Sequence, residues 1–193
     1  PWHFIPAVNA EPDRAEVLEA AMLESAATMA PLAGKTAVLV DVSAAMDVPL
    51  KLNPSGYGGL RRIDAAVGLA VLVKELAPDC HIFSFSNHLA EISGVRGFAL
   101  MNALFNSQPH MDVFLRSVIR DVCLERRYDR VIIITAETPD EDVIVPQDIQ
   151  HGVVVVLNPL EGEPGLAQAG PWTTINGWSD LVVDYIRDPV LVA

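Results

Sequence analysis

The chain has 193 residues, 51% of them hydrophobic and 20% charged, which suits one domain with a well-filled core. Twenty-five acidic against 13 basic residues leave a net charge of −12, and a surface this negative repels phosphate backbones and anionic membranes. No apolar run approaches the roughly 18 residues that cross a bilayer, and two cysteines, Cys80 and Cys123, are too few for a disulfide framework or a zinc cage. Both cysteines are expected to be small buried hydrophobes, and the location cytoplasmic. The opening "PWHFIPAVNAEPD" has no Met and no signal-peptide pattern, so the chain reads as a piece of a longer protein.

Residues 1–10 are expected to be extended or irregular. "PDRAEVLEAAMLESAATMA" predicts a helix from Pro12 to about Ala30, with Pro12 in its first turn and Asp13 complementing the dipole. Val17, Met22 and Met29 would lie on its apolar stripe, and Pro31 and Gly34 end it. "TAVLVDV" (36–42) is a near-continuous apolar run, as a strand buried on both faces requires. After the glycine-rich "NPSGYGG", residues 61–77 predict a strongly apolar helix. "CHIFSFS" (80–86) is the next strand and "LAEI" a short edge strand. "FALMNALFN" and "VFLRSVIRDVCLE" are helical, with Ser107, Gln108 and Pro109 marking a loop between them. "RVIIITA" (130–136) and "GVVVVLN" (152–158) are buried strands, "WTTING" a last strand, and "SDLVVDYIRD" a terminal helix with Ser179 as its N-cap.

This alternation predicts a Rossmann-like α/β fold, a doubly wound, mostly parallel sheet with helices on both faces. Function in such sheets collects at the carboxyl ends of the strands. Those ends carry Asp41 and Ser43, then Ser84 and Ser86, then Thr135 and Glu137, then Asn158. Arg116, Arg120, Arg126, Arg127 and Arg130 crowd one segment, but Asp121, Glu125 and Asp129 are interleaved with them. A solvated, ion-paired face is expected there, not a nucleic-acid patch.

Enzyme motifs fail on spacing. A dinucleotide loop needs glycines straight after the first strand, where the chain has "DVSAAM". "GKT" at 34–36 precedes that strand and lacks the upstream glycine of a phosphate loop. Ser43 is flanked by Val42 and Ala44, so it is no nucleophile elbow, and position 43 lacks the second carboxylate of a phosphotransfer pair. His3, His81, His88, His110 and His151 are scattered. The chain is expected not to be an enzyme.

"VLVDVSAAMD" resembles the first segment of a von Willebrand factor A-type domain, whose metal-ion-dependent adhesion site uses D-x-S-x-S, a later threonine and a later aspartate. More specifically, "HFIPAVNAEP", "AGKTAVLVDVSAAMD", "RRIDAAVGLAVLVKEL", "IFSFSN", "SQPHMDVFL", "RVIIITAET" and "WTTINGWSDLVVDYIRD" resemble, in order and spacing, the A-type domain of the TROVE, or Ro ribonucleoprotein, family. The resemblance implies that residues 31–193 are the A-type domain. Residues 1–30 would then be a connecting segment and helix packed on it. It also implies a ring of helical repeats upstream, which would bind RNA in place of this chain.

The departures from the family pattern decide the expected chemistry. D-x-S-x-S is here Asp41-Val42-Ser43-Ala44-Ala45, Val113 stands at the aligned threonine, and Ala136 stands at the second aspartate. Three of the five coordinating positions have therefore lost their side-chain oxygen. Mg²⁺ takes about six oxygens in near-octahedral geometry, and Asp41 with Ser43 offers one carboxylate and one hydroxyl. A degenerate adhesion site with no cofactor is expected, weak Mg²⁺ or Mn²⁺ binding being the alternative. Without a cation, Asp41 would be held by the Ser43 hydroxyl and loop N–H groups. The expected activity is protein–protein interaction, with no membrane role. Asp112, Glu137 and Asp140 in the acidic loops are the candidate partner surface.

Overall fold

The computed structural model describes residues 4–50, 60–111, 118, 122, 127–136, 151–157, 172–178 and 182–187. Among the described residues, six strands form one sheet: β1 (Lys35–Asp41), β2 (Asp79–Phe85), β3 (Leu89–Ile92), β4 (Arg130–Thr135), β5 (His151–Val156) and β6 (Trp172–Asn176). Their spatial order is β3-β2-β1-β4-β5-β6. Every pair is parallel except β2–β3, where Ile82 faces Ile92 and Phe85 faces Leu89. The fold is thus the Rossmann-like α/β architecture expected from the alternation. From β1 the chain builds outward to β3 on one side, then returns to start β4 on the other. The strand order reverses between β1 and β4, which is where such sheets open a crevice at their carboxyl ends.

The helices with described bounds are α1 (Phe4–Ala10), α2 (Ala15–Ala27), α3 (Arg62–Leu76), α4 (Gly97–Phe105) and α5 (Val182–Arg187). Alternate strand residues feed two cores, as the period of two dictates. Val38, Val40, Ile132, Ile134, Val153 and Val155 pack on the α3 side. Ala37, Leu39, Val131 and Ile133 pack on the other, against Tyr128, Trp172 and the helical residues Val118 and Val122. Covering both faces explains why β1 and β4 carry no alternating polar residues. Cys80 lies in the first core, and burial pushes its thiol up to about 12.

Helix α3 is apolar around nearly its whole circumference because it has neighbours on both sides. Its outer side meets α1 and α2, with Ile5, Val8, Met22 and Ala26 in the same core. Gly68 makes room for α1: a Cβ there would sit 2.5 Å from Ile5 Cδ1. Glu19 of α2 reaches the start of α4, where its Oε1 accepts the Phe98 N–H at 2.6 Å. Gly97, at φ +55, leaves space for that carboxylate, which a Cβ would meet at 2.0 Å.

Three expectations are corrected here. Residues 4–10 are helical, not extended. A seven-residue helix is not stable alone, so burial of Ile5 and Val8 decides its conformation. Val17 is 71% exposed, because α2 turns Met22 and Ala26 inward, with Ala15, Leu18 and Met29 packed beside them. Arg130 belongs to no solvated face: it is buried and donates to the Ala33 carbonyl at 3.1 Å and the Thr36 hydroxyl at 3.2 Å. Ser179, Cys123, Arg116, Arg120 and Arg126 lie outside the described residues.

Gly152 faces Trp172 across the β5–β6 pair, and a Cβ on it would come within 2.5–2.9 Å of the buried indole. Gly152→Ala is expected to destabilise the domain by about 1–3 kcal/mol through overpacking, read as a lower urea midpoint at unchanged m-value. A wild-type midpoint would mean that the indole moves aside freely.

Candidate functional site

Asp41 closes β1 and Thr135 closes β4, the two strands that flank the reversal in strand order. The register places Val40 beside Ile134, which brings the following residues together at the crevice. The Asp41 carboxylate is wholly buried. Its Oδ1 accepts the Ser43 backbone N–H at 2.8 Å, and its Oδ2 accepts the Thr135 hydroxyl at 2.7 Å. The Ala136 backbone N–H supports it as well. Burial pushes the Asp41 carboxyl above its usual range, and the donors from Ser43, Thr135 and Ala136 pull it back without cancelling the shift.

The Ser43 hydroxyl is buried too. It lies near enough to the carboxylate to help hold its charge, yet off hydrogen-bond geometry, and its oxygen has no hydrogen-bond partner. After it, Ala44–Met46 form a single 3₁₀ turn that buries Met46. Ala45 packs its methyl partly against the core, and its carbonyl accepts Arg62 Nη1 at 2.9 Å. Ala136 is buried at the end of β4. Neither alanine has a side-chain oxygen to offer.

A second polar group pins the neighbouring loop. Gln108 Nε2 donates to the Ser84 hydroxyl at 3.0 Å. The Ser86 hydroxyl donates to the Pro109 carbonyl at 2.9 Å and accepts the Met111 N–H at 3.1 Å. The Ala44 N–H reaches the Met111 carbonyl at 3.4 Å, so this loop also touches the turn after Asp41. Ser84 of β2 and Ser86, just past its end, thus fasten residues 108–111 over the carboxyl edge. Met111 is half exposed there, with Asn87 Nδ2 3.5 Å from its sulfur.

The structure brings Asp41, Ser43, Ala45 and Ala136 to one edge. Asp112, Val113, Glu137, Asp140 and Asn158 lie outside the described residues. Thr135 and Gln108 are polar side chains at this edge that sequence reasoning left without a role. Thr135 was legible as a strand-end residue, but its bond to Asp41 spans 94 positions and exists only through the β1–β4 pairing. Among the described residues, the oxygen-bearing side chains at the expected ligand positions are one carboxylate and one hydroxyl. That set would leave at least about four positions of a six-oxygen Mg²⁺ shell to water.

No family model and no curated protein matches the chain. Among solved structures, it is similar to the crystal structure of the Ro (RSR) protein of Deinococcus radiodurans, with a TM-score of 0.67 and 16% identity. The similarity covers 89% of this chain and 37% of that protein, so the chain spans well under half of its length. At this identity the likeness shows a shared fold. No described helix is long and apolar enough to cross a membrane.

Proposed function

We propose that this chain is a non-enzymatic binding module, the A-type domain of a Ro-like protein, which engages a protein partner through the carboxyl edge of its sheet without a bound metal. The observation that carries this reading is the Asp41 carboxylate, wholly buried and held by donors from within the chain while alanines stand at positions 45 and 136. The fold shared with a Ro protein supports the family assignment. A net charge of −12 supports leaving RNA to a helical-repeat part outside this chain. Ser43 would have to be the nucleophile of a hydrolase, and its hydroxyl has no hydrogen-bonded base, which supports a non-catalytic role. The partner surface on this reading is the loop fastened by Ser84 and Ser86, and the acidic residues Asp112, Glu137 and Asp140 are the further candidate contacts.

One observation favours a second reading, a weak Mg²⁺ or Mn²⁺ adhesion site that takes a partner's carboxylate. The buried, unpartnered Ser43 hydroxyl sits beside Asp41, as a residual ligand would. Thermal unfolding in EDTA, in 10 mM Mg²⁺ and in 10 mM Mn²⁺ separates the two. The metal-free reading expects coincident melting curves. A site with a dissociation constant of about 0.1 mM would stabilise the fold by about 2.7 kcal/mol, or roughly 5–11 °C. A shift of that size, abolished by Asp41→Ala, would put the adhesion reading first.

A further inference from the structure

The carboxyl edge raises a question that the metal-free reading leaves open: what compensates a carboxylate buried where the fold's cation would sit? Burying an unpaired charge is costly, and proteins that do so supply donors or a counter-ion. Ser43 N–H, Thr135 O–H and Ala136 N–H all donate to Asp41, Thr135 being the last residue of β4 and Ala136 the residue after it. The backbone donors are local consequences of the turn and the strand end. The Thr135 hydroxyl is the one side-chain bond from β4 to Asp41, 2.7 Å long and fully buried at both ends.

We propose that Asp41 and Thr135 form an internal clasp that stabilises the buried carboxylate in the absence of a cation and locks the carboxyl ends of β1 and β4 together. The proposal rests on the metal-free reading and deepens it. Each strand already pairs through its backbone as far as Val40 and Ile134. The clasp adds a link one residue beyond that ladder, where the chain turns away. It also sets the turn at 42–47, since the same carboxylate holds the Ser43 N–H, and through Ala44 it braces the loop at Met111. On this proposal the edge offered to a partner is braced from within by protein groups alone.

The test is thermal unfolding of wild type, Thr135→Val, Thr135→Ser, Asp41→Ala and the Asp41→Ala/Thr135→Val pair, each in EDTA and in 10 mM Mg²⁺. A buried hydrogen bond to a charged group predicts a loss on the order of 5 °C for Thr135→Val. Thr135→Ser keeps the hydroxyl and should stay near wild type. In the Asp41→Ala background the valine substitution should cost clearly less than in wild type, because the bond to Asp41 is already gone. If Thr135→Val and Asp41→Ala lower the melting temperature additively, or Thr135→Ser falls as far as Thr135→Val, the clasp is overturned while the metal-free reading stands. If wild type gains several degrees in Mg²⁺ and Asp41→Ala removes the gain, both are overturned, and Asp41 is a cation ligand. Should Asp41→Ala not fold, the serine and valine comparison decides alone.

Discussion

Deleting residues 1–30 is expected to leave a chain that no longer unfolds cooperatively. Helices α1 and α2 place Ile5, Val8 and Met22 in the same buried cluster as most of α3. Each large apolar side chain contributes about 1.5–3 kcal/mol when fully buried, so these three represent roughly 5–9 kcal/mol. A domain of this kind has about 5–15 kcal/mol in total. The deletion also removes the Glu19 carboxylate from the Phe98 N–H, leaving that donor at the start of α4 unpaired. Urea unfolding followed by circular dichroism should show a shallow transition with a reduced m-value, and the exposed outer side of α3 should bind an apolar dye. A sharp transition near the wild-type midpoint would make α1 and α2 an appendage and residue 31 a true domain boundary.

Placing oxygens at the three positions, through Ala45→Ser, Val113→Thr and Ala136→Asp together, is expected to make the domain's stability depend on a divalent metal. In EDTA the variant should melt below wild type. Ala136→Asp brings a second carboxylate to the strand end beside buried Asp41, and like charges at short range disfavour the ionised pair. In 10 mM Mg²⁺ the order should reverse. With a dissociation constant of about 0.1 mM or tighter, bound cation adds at least about 2.7 kcal/mol, or roughly 5–11 °C. Wild type serves as the control and should not move. If wild type already shifts and the triple variant gains little beyond it, the existing residues suffice for the ion, and the weak adhesion site becomes the better account.

The strands were the most legible part of the chain. β1, β4 and β5 are short runs of branched apolar residues between turn signals, and only a sheet covered on both faces needs such runs. The same pattern put Asp41 and Ser43 at a strand end, and the resemblance to an A-type domain added Ala45 and Ala136 to that edge. Helix α1 was illegible because "FIPAVNA" carries no helical signal strong enough to stand alone; its conformation comes from the groove that Gly68 opens on α3. Val17 was misplaced because an apolar residue on a helix need not face the core. Gln108 reads as a loop marker in sequence, yet it is buried with its amide on Ser84.

The sequence by itself determined the fold class and the acidic charge, since each is a property of residue types and their local period, while the three ligand positions without side-chain oxygen were what the resemblance implied. Tertiary structure alone decided what holds Asp41. Ser43 contributes its backbone N–H and not a hydroxyl bond, and the side-chain donor is Thr135, 94 residues away. The physical reason is that hydrogen-bond partners of a buried group are set by strand register and burial, and neither is written in the neighbouring residues.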